Sequence, residues 1–322
     1  SQPTTTSASC GSVEAATSRA LARARAWTCS AALGVASPAS RRLRLSSSST
    51  APSSTSETRT NGSMPAARSV ARRPDDFDAR RITGGSPFSR LDTVPVTGST
   101  QDDLRTALTG PEQESWPHLS ALRALAQTAG RGRSGRAWVT PDDGGALLVS
   151  VVLRPLVPVE RLAWLPLLGG LAVRDALAPL VEGLPWRVGT KWPNDVVALP
   201  DDPAAVPAVP GWAGTRKIAG VLSELVTPEA AQGTAAHGLA SDVVPADRDE
   251  APMVILGIGV NIGQAAEELP VPWAGSLRTL GAVGAGRGPA LTDAAESVLM
   301  AIGHQLARLV GQWEDVGGDV DA

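Results

Sequence analysis

The apolar stretches of this chain are strand-sized. Ala146–Leu153 reads Ala-Leu-Leu-Val-Ser-Val-Val-Leu with little alternation, the pattern of a buried strand. No run approaches the roughly eighteen apolar residues of a membrane-crossing helix. Arg187–Trp192, Lys217–Leu225 and Met253–Val260 read as further strands. Leu165–Leu180 reads as helix although it carries Gly169, Gly170 and Pro179, and Asp293–Val310, following Thr292, is the most helix-like stretch. Ser99 or Thr100 can cap a helix whose first turn holds Asp102 and Asp103 and whose apolar positions include Leu104 and Leu108.

The first 75 or so residues follow no such pattern. They are rich in Ser, Thr, Ala and Arg and hold too little apolar surface to offset chain entropy, so the sequence predicts a disordered leader over residues 1–80. Such a composition resembles an organellar transit peptide. The chain has no initial Met, however, and Met64 opens a more protein-like stretch, so a start near Met64 is the expectation. Residues 1–73 hold ten arginines against Glu14 and Glu57, leaving about 19 basic and 30 acidic side chains in the remainder. A body with a net charge of about −11 is a poor partner for nucleic acid, whose binding rests on neutralising phosphates.

Cys10 and Cys29 lie in the leader, so the globular part offers neither a disulfide framework nor a cysteine metal site. His118, His237 and His304 stand among ordinary neighbours and read as surface or loop residues. Tyr is absent and Phe nearly so, which leaves Trp to fill a core or stack on a ring. Leu199–Gly214 and Thr227–Pro252 read as disordered surface insertions.

Chemistry concentrates in a few segments. The chain has two lysines, Lys191 in Lys-Trp-Pro-Asn-Asp and Lys217 in Lys-Ile-Ala-Gly-Val-Leu. Lys offers a compact charge on a flexible stem where Arg offers a planar fork. Gln127–Trp138 alternates Gly and Arg and ends in Trp. Glycines can bring backbone N–H groups to an anion, Arg adds charge-assisted bonds, and Trp offers a flat face to a purine. An exposed Arg/Gly segment of an RNA-binding protein remains open on this feature alone.

Together, Ser99-Thr100-Gln101, Gln127-x-x-Gly-Arg-Gly-Arg, Lys191–Asp195, Lys217–Leu222 and Gly257-Ile258-Gly259-Val260-Asn261-Ile262 resemble, in this order, the biotin protein ligases. The resemblance covers about residues 90–275. It implies an α+β fold of the class II synthetase and biotin-ligase type, a mixed sheet with helices on one side, in a catalytic domain over 81–315 followed by a short disordered tail, 316–322. It also implies the activity: biotin and ATP form biotinyl-5′-AMP, and the biotinyl group passes to a lysine of a biotin carboxyl carrier domain.

Joining a carboxylate to a phosphate brings two anions together, which calls for cationic clamps and Mg²⁺ rather than an enzyme nucleophile. By the resemblance, Ser99, Thr100 and Gln101 hold the ureido ring of biotin; the family more often has Asn in place of Gln101. Gln127 and Arg131-Gly132-Arg133 close over biotin and the acyl phosphate, with Arg131 and Arg133 retaining the adenylate. Lys217 meets the biotin carboxylate and then the α-phosphate, so Arg133 and Lys217 are the expected catalytic pair. Lys191, Asn194 and Asn261 face the nucleotide, Trp138 stacks on adenine, and Asp195 partners Mg²⁺ or ties Lys191 in place. Trp192 and Pro193 read as packing, Gly257 and Gly259 as close strand contacts, and Arg136 as a rim charge.

Family members usually carry a small C-terminal barrel; with only Gly/Asp-rich residues after Trp313, the expectation is a catalytic part without it, either a compact core or a truncated product. The resemblance further implies a cytoplasmic enzyme acting without nucleic acid or membrane, with a homodimer left open. A lipoate or octanoyl ligase and an inactive biotin-binding fragment stand as alternatives.

Overall fold

Seven strands pair into one mixed sheet in the order β1-β2-β3-β7-β6-β5-β4. They are β1 (Arg90–Thr97), β2 (Ser120–Gln127), β3 (Ala146–Leu153), β4 (Trp186–Lys191), β5 (Asp195–Pro200), β6 (Arg216–Val226) and β7 (Met253–Asn261). Among the described residues three α-helices accompany them: α1 (Thr100–Thr109), α2 (Leu165–Leu177) and α3 (Pro289–Asp315). This computed structural model describes residues 85–140, 145–226, 242–283 and 289–321. All belong to one unit, Arg68–Ala322. Both cysteines, Met64, the expected leader, His237 and most of the second insertion lie outside the described residues.

β1 runs parallel to β2, with α1 as the crossover between them, and every other pairing is antiparallel. β3 and β7 form the middle of the sheet. Their alternate residues Leu147, Val149 and Val151, with Val254, Leu256 and Ile258, face α2 and α3. Gly169 lets α2 settle on this layer, since a methyl there would lie 2.9 Å from Leu256 Cδ2 and 3.0 Å from Val221 Cγ1.

The other face is covered differently. Ser99 caps α1 through its side chain, and Leu104 and Leu108 pack on Leu122, Val152 and Ile255. Each fully buried leucine contributes about 1.5–3 kcal/mol. Helices therefore lie on both faces, not on one as expected. With only ten residues, α1 covers one end of its face and leaves the rest of β3, β6 and β7 open.

Three strands, β1, β2 and β5, were absent from the sequence reading, because each is interrupted by polar or proline residues. Leu199–Gly214 is a hydrogen-bonded loop rather than a disordered one: Val209 N–H donates to Ala213 O at 2.7 Å and Arg216 Nη2 to Pro207 O at 2.7 Å. Residues after α3 continue into a turn in which the Trp313 indole donates to Gly318 O at 2.9 Å. Phe88 joins Trp313 in the core, so Trp is not its only aromatic filler.

His118 is also less exposed than expected. Its Nδ1 accepts the Arg154 backbone N–H at 3.0 Å. Burial, reinforced by Arg248 and Arg154 and opposed by Glu314, pushes its pKa down from 6.5 to about 4. A folded-state value below the unfolded one means that the unfolded chain binds the extra proton. Stability is then fully present above about pH 6.5 and lost as the pH falls toward 4. By pH 5 this single group should cost about 2 kcal/mol relative to pH 7.5. In urea unfolding at the two pH values, His118→Asn should lose about that much less than the parent; equal losses would remove His118 as the cause.

Candidate functional site

The open part of the α1 face is a cavity of about 550 Å³. It follows β7 from Gly257 to Asn261, about 14 Å at the usual strand rise. Its floor is low because glycines stand where side chains would rise. A methyl on Gly257 would lie 2.8 Å from Gln101 Oε1, and one on Gly259 would lie 2.6 Å from Trp138 Cε2. Gly220, paired with Gly259 on β6, has Trp138 Cζ3 at 3.0 Å from its own methyl position. These glycines make room for side chains above the sheet, beyond the strand packing expected of Gly257 and Gly259.

The end nearest Gly257 is polar and uncharged. Ser99, Thr100 and Gln101 are buried there at the start of α1. Gln127 Oε1 accepts from Thr100 N at 2.8 Å and Thr100 Oγ1 at 3.0 Å, and Thr100 Oγ1 lies 2.8 Å from Ser150 Oγ. Ser150 is a site residue the sequence reading missed. Its signal was there, one hydroxyl in an otherwise apolar strand that must find a partner when buried.

The middle of the cavity is aromatic. Trp138 lies over Gly220 and Gly259, and its indole N–H is buried with no hydrogen-bond partner among the described residues. The residues before it form a hairpin: Gly132 N–H donates to Arg136 O at 2.7 Å and Trp138 N–H to Gly130 O at 2.8 Å. The tip, Ser134 and Gly135, takes left-handed φ of 57° and 72°. The Gly132 amide is thus used within the hairpin and does not join a backbone cradle for an anion. Arg133 and Arg136 are exposed and have no ion-pair partner among the described residues. Arg131 is different. Its Nη1 lies 2.6 Å from Asp102 Oδ1 and 3.5 Å from Glu224 Oε2.

The far end is cationic. Lys217 Nζ contacts Asp195 Oδ1 at 2.6 Å and sits 5.4 Å from the centroid of Trp138. Strict alternation would turn Lys217 to the same side as Ala219 and Val221, into the α2–α3 core. A bulge opposite Val196/Val197 lets both Ile218 and Ala219 face that core and returns Lys217 to the cavity side. Asp195 therefore holds Lys217, not Lys191. Asn194 Nδ2 donates to Val221 O at 2.8 Å, and Asn261 Nδ2 to Gly275 O at 2.9 Å. Both amides tie wall segments together.

Lys191 Nζ stands 4.4 Å over Trp212, whose ring is stacked with Trp273, 6.0 Å between centroids and 7° from parallel. Trp212 and Trp273 were also missed, since one lies in the first insertion and the other in a Pro-flanked loop. Trp192, expected to pack, is 69% exposed at the cavity rim.

Electrostatics around α1 complete the site. Arg105 bridges Asp102 at 2.5 Å and Glu224 at 2.6 Å. The Glu224 hydrogen bond, more than the desolvation opposing it, holds the Arg105 guanidinium above its ordinary pKa. Burial raises the Asp102 carboxyl, and hydrogen bonds and charge from Arg105 and Arg131 outweigh it, so the net pKa is lowered. The described residues include no group of three His, Cys, Asp or Glu able to hold a metal.

Residues 94–239 match the Biotin/lipoate A/B protein ligase family. The chain is 36% identical over 202 residues to the biotin–[acetyl-CoA-carboxylase] ligase of Mycobacterium tuberculosis, covering 62% of this chain and 59% of that protein. It is 38% identical over 101 residues to the ligase of the same name from Paracoccus denitrificans, covering 31% and 39% respectively. The biotin protein ligase from Aquifex aeolicus in complex with biotin and ATP aligns at 24% identity with a TM-score of 0.46, over 72% of this chain and 74% of that one. The chain spans less than two thirds of the length of these curated relatives.

Proposed function

We propose, from the match of residues 94–239 to the Biotin/lipoate A/B protein ligase family, that the chain ligates biotin to a lysine of a biotin carboxyl carrier domain, using ATP. The observation that carries this reading is the order of environments along β7: polar and neutral at Gly257, aromatic at Gly259, cationic beyond. Biotin has the same order, a neutral ureido head, an apolar body and a carboxylate. A lipoyl or octanoyl group has no ring amides to meet Ser99, Thr100, Gln101, Gln127 and Ser150. Buried polar groups left unmatched cost about 1–3 kcal/mol each, which favours biotin.

In this reading Lys217 lies beside the biotin carboxylate. A carboxylate oxygen attacks the α-phosphorus of ATP, the bond to the β-phosphate breaks, and pyrophosphate leaves. The carrier lysine amine then attacks the biotinyl carbonyl, expelling AMP and losing a proton. Lys217 offsets the negative charge in the first step, and Arg133, without an ion-pair partner among the described residues, shields the adenylate until the second. Lys191 faces the phosphates, Asn194 and Asn261 shape that end, and Trp212 with Trp273 offers the purine a flat surface. Trp138, over the two glycines, serves the biotin body rather than the purine.

Magnesium ions are usually held by one or two carboxylates together with substrate phosphates. Asp195 is the one carboxylate among the described lining residues, and it is engaged with Lys217. The described residues therefore do not offer a metal site of their own. In this reading Mg²⁺ arrives with ATP. The same reading has the chain acting in the cytoplasm.

Incubating the full chain with biotin, ATP, Mg²⁺ and a carrier domain should add one biotinyl mass to the carrier. Equal or better transfer of lipoate or octanoate would overturn the substrate assignment. Biotin binding without transfer would leave a binding fragment in place of an enzyme.

A further inference from the structure

We propose that Asp102 and Glu224 are positioning residues that latch the Arg131–Ala137 hairpin over the cavity through Arg131, leaving Arg133 and Arg136 as the cations available to an anionic ligand. The naming of that ligand rests on the function proposed above; the latch does not.

The hairpin has few anchors. Residues Arg133–Ala137 are all exposed, and the tip makes no hydrogen bond outside the hairpin among the described residues. Its entry is tied to β1, with Thr128 N–H donating to Thr97 O at 3.0 Å and Ala129 N–H to Gly98 O at 2.8 Å. Its exit is held by Trp138 on Gly220 and Gly259. Between them the one side-chain tie is Arg131, through Nη1 to Asp102 Oδ1 at 2.6 Å and to Glu224 Oε2 at 3.5 Å.

Those carboxylates are not idle surface acids. Arg105 bridges both, and its Nε also donates to Glu224 Oε1. Two guanidiniums and two carboxylates make a neutral cluster, with Glu224 the more buried acid. Asp102 lies in the first turn of α1, directly after the buried Ser99–Gln101 segment. Glu224 also accepts from Gln101 Nε2 at 3.4 Å. One cluster thus joins the hairpin, α1 and β6 and reaches a side chain lining the cavity. Isolated exposed ion pairs contribute little, whereas networks with shared, partly buried partners hold more. A tie of that strength suits a hairpin that must open to admit a ligand and close again.

The division of labour differs from the sequence reading, in which Arg131 and Arg133 both retained the adenylate. Arg131 has two carboxylates within 4 Å, so its charge is matched before an anion arrives. Arg133 and Arg136 remain unmatched.

Trypsin reads the latch directly, because it cuts after the hairpin arginines once they swing free. With the full ligand-free chain, cleavage after Arg133 and Arg136, located by mass spectrometry, should rise about tenfold in Asp102→Asn and in Arg131→Gln. The double variant should cut no faster than Arg131→Gln alone, since that change already removes the tie to Asp102. Stopped-flow tryptophan fluorescence should show faster biotin association and dissociation in each. Asp102 also favours α1 by its place at the helix N-terminus, and loss of that effect alone would lower the melting temperature without exposing the hairpin. Unchanged hairpin cleavage, or additive effects in the double variant, overturns the latch. Glu224→Gln gives a second route to the same result should Asp102→Asn fold poorly. Because the cleavage experiment contains no biotin or ATP, a failure of the proposed activity would leave its outcome legible.

Discussion

Lys217→Ala should lower biotin-dependent ATP–pyrophosphate exchange by about 10²–10³, the usual cost of removing a charge aimed at a developing anionic centre. The structure makes the loss two-sided. Lys217 is paired with Asp195 at 2.6 Å, and the Asp195 side chain is only 15% exposed. Removing the ammonium leaves that carboxylate unpaired at the end of the cavity where the triphosphate is proposed to bind, so repulsion replaces attraction. Lys217→Ala/Asp195→Asn should therefore bind ATP better than Lys217→Ala while exchanging no faster than about a tenth of the parent rate. Lys217→Arg should also be poor, because the bulge gives this position one short reach to Asp195 and over Trp138, and a planar fork cannot repeat it. Exchange within about threefold of the parent for Lys217→Ala would put the residue outside the chemistry.

Gly259→Ala should disable the cavity while adding one methyl group. The new carbon would lie 2.6, 2.8 and 3.0 Å from three atoms of Trp138, and Gly220 confines the same ring from the neighbouring strand. The indole must leave its seat. Since Trp138 is the exit anchor of the arginine hairpin, biotin affinity should fall at least tenfold, about 1.4 kcal/mol. Overpacking typically costs about 1–3 kcal/mol of stability, so the protein should still fold. Isothermal titration with biotin and a thermal melt separate the two effects. Trp138→Ala/Gly259→Ala should bind biotin no worse than Trp138→Ala alone, because the clash needs the ring. An unchanged biotin affinity in Gly259→Ala would mean that Trp138 does not form the floor of the site.

The motif segments were legible because each sets charged or amide side chains beside glycine or proline in a distinctive local order. The two lysines, the alternating Gly and Arg, and Asn261 after its two glycines all line one cavity. The central strands were legible too: β3 has the expected bounds, and β6 and β7 run one or two residues further. Continuous apolar runs and β-branched residues announce buried strands through local periodicity alone. Edge and outer strands such as β1 and β5, with Pro, Asp and Thr among their residues, carry no such signal.

Partnership was a different matter. Asp102 and Glu224 meet Arg131 across 29 and 93 residues, and Trp212 meets Trp273 across a loop and two strands. Charges and rings so far apart along the chain have no sequence period that could announce their pairing. The side on which Lys217 emerges was also beyond local reading, because one extra residue in β6 inverts it and only the register with β5 reveals the bulge. Residue types and their order identify what chemistry is available. Strand register and chain crossing assign it, because facing and contact depend on neighbours that the linear pattern does not contain.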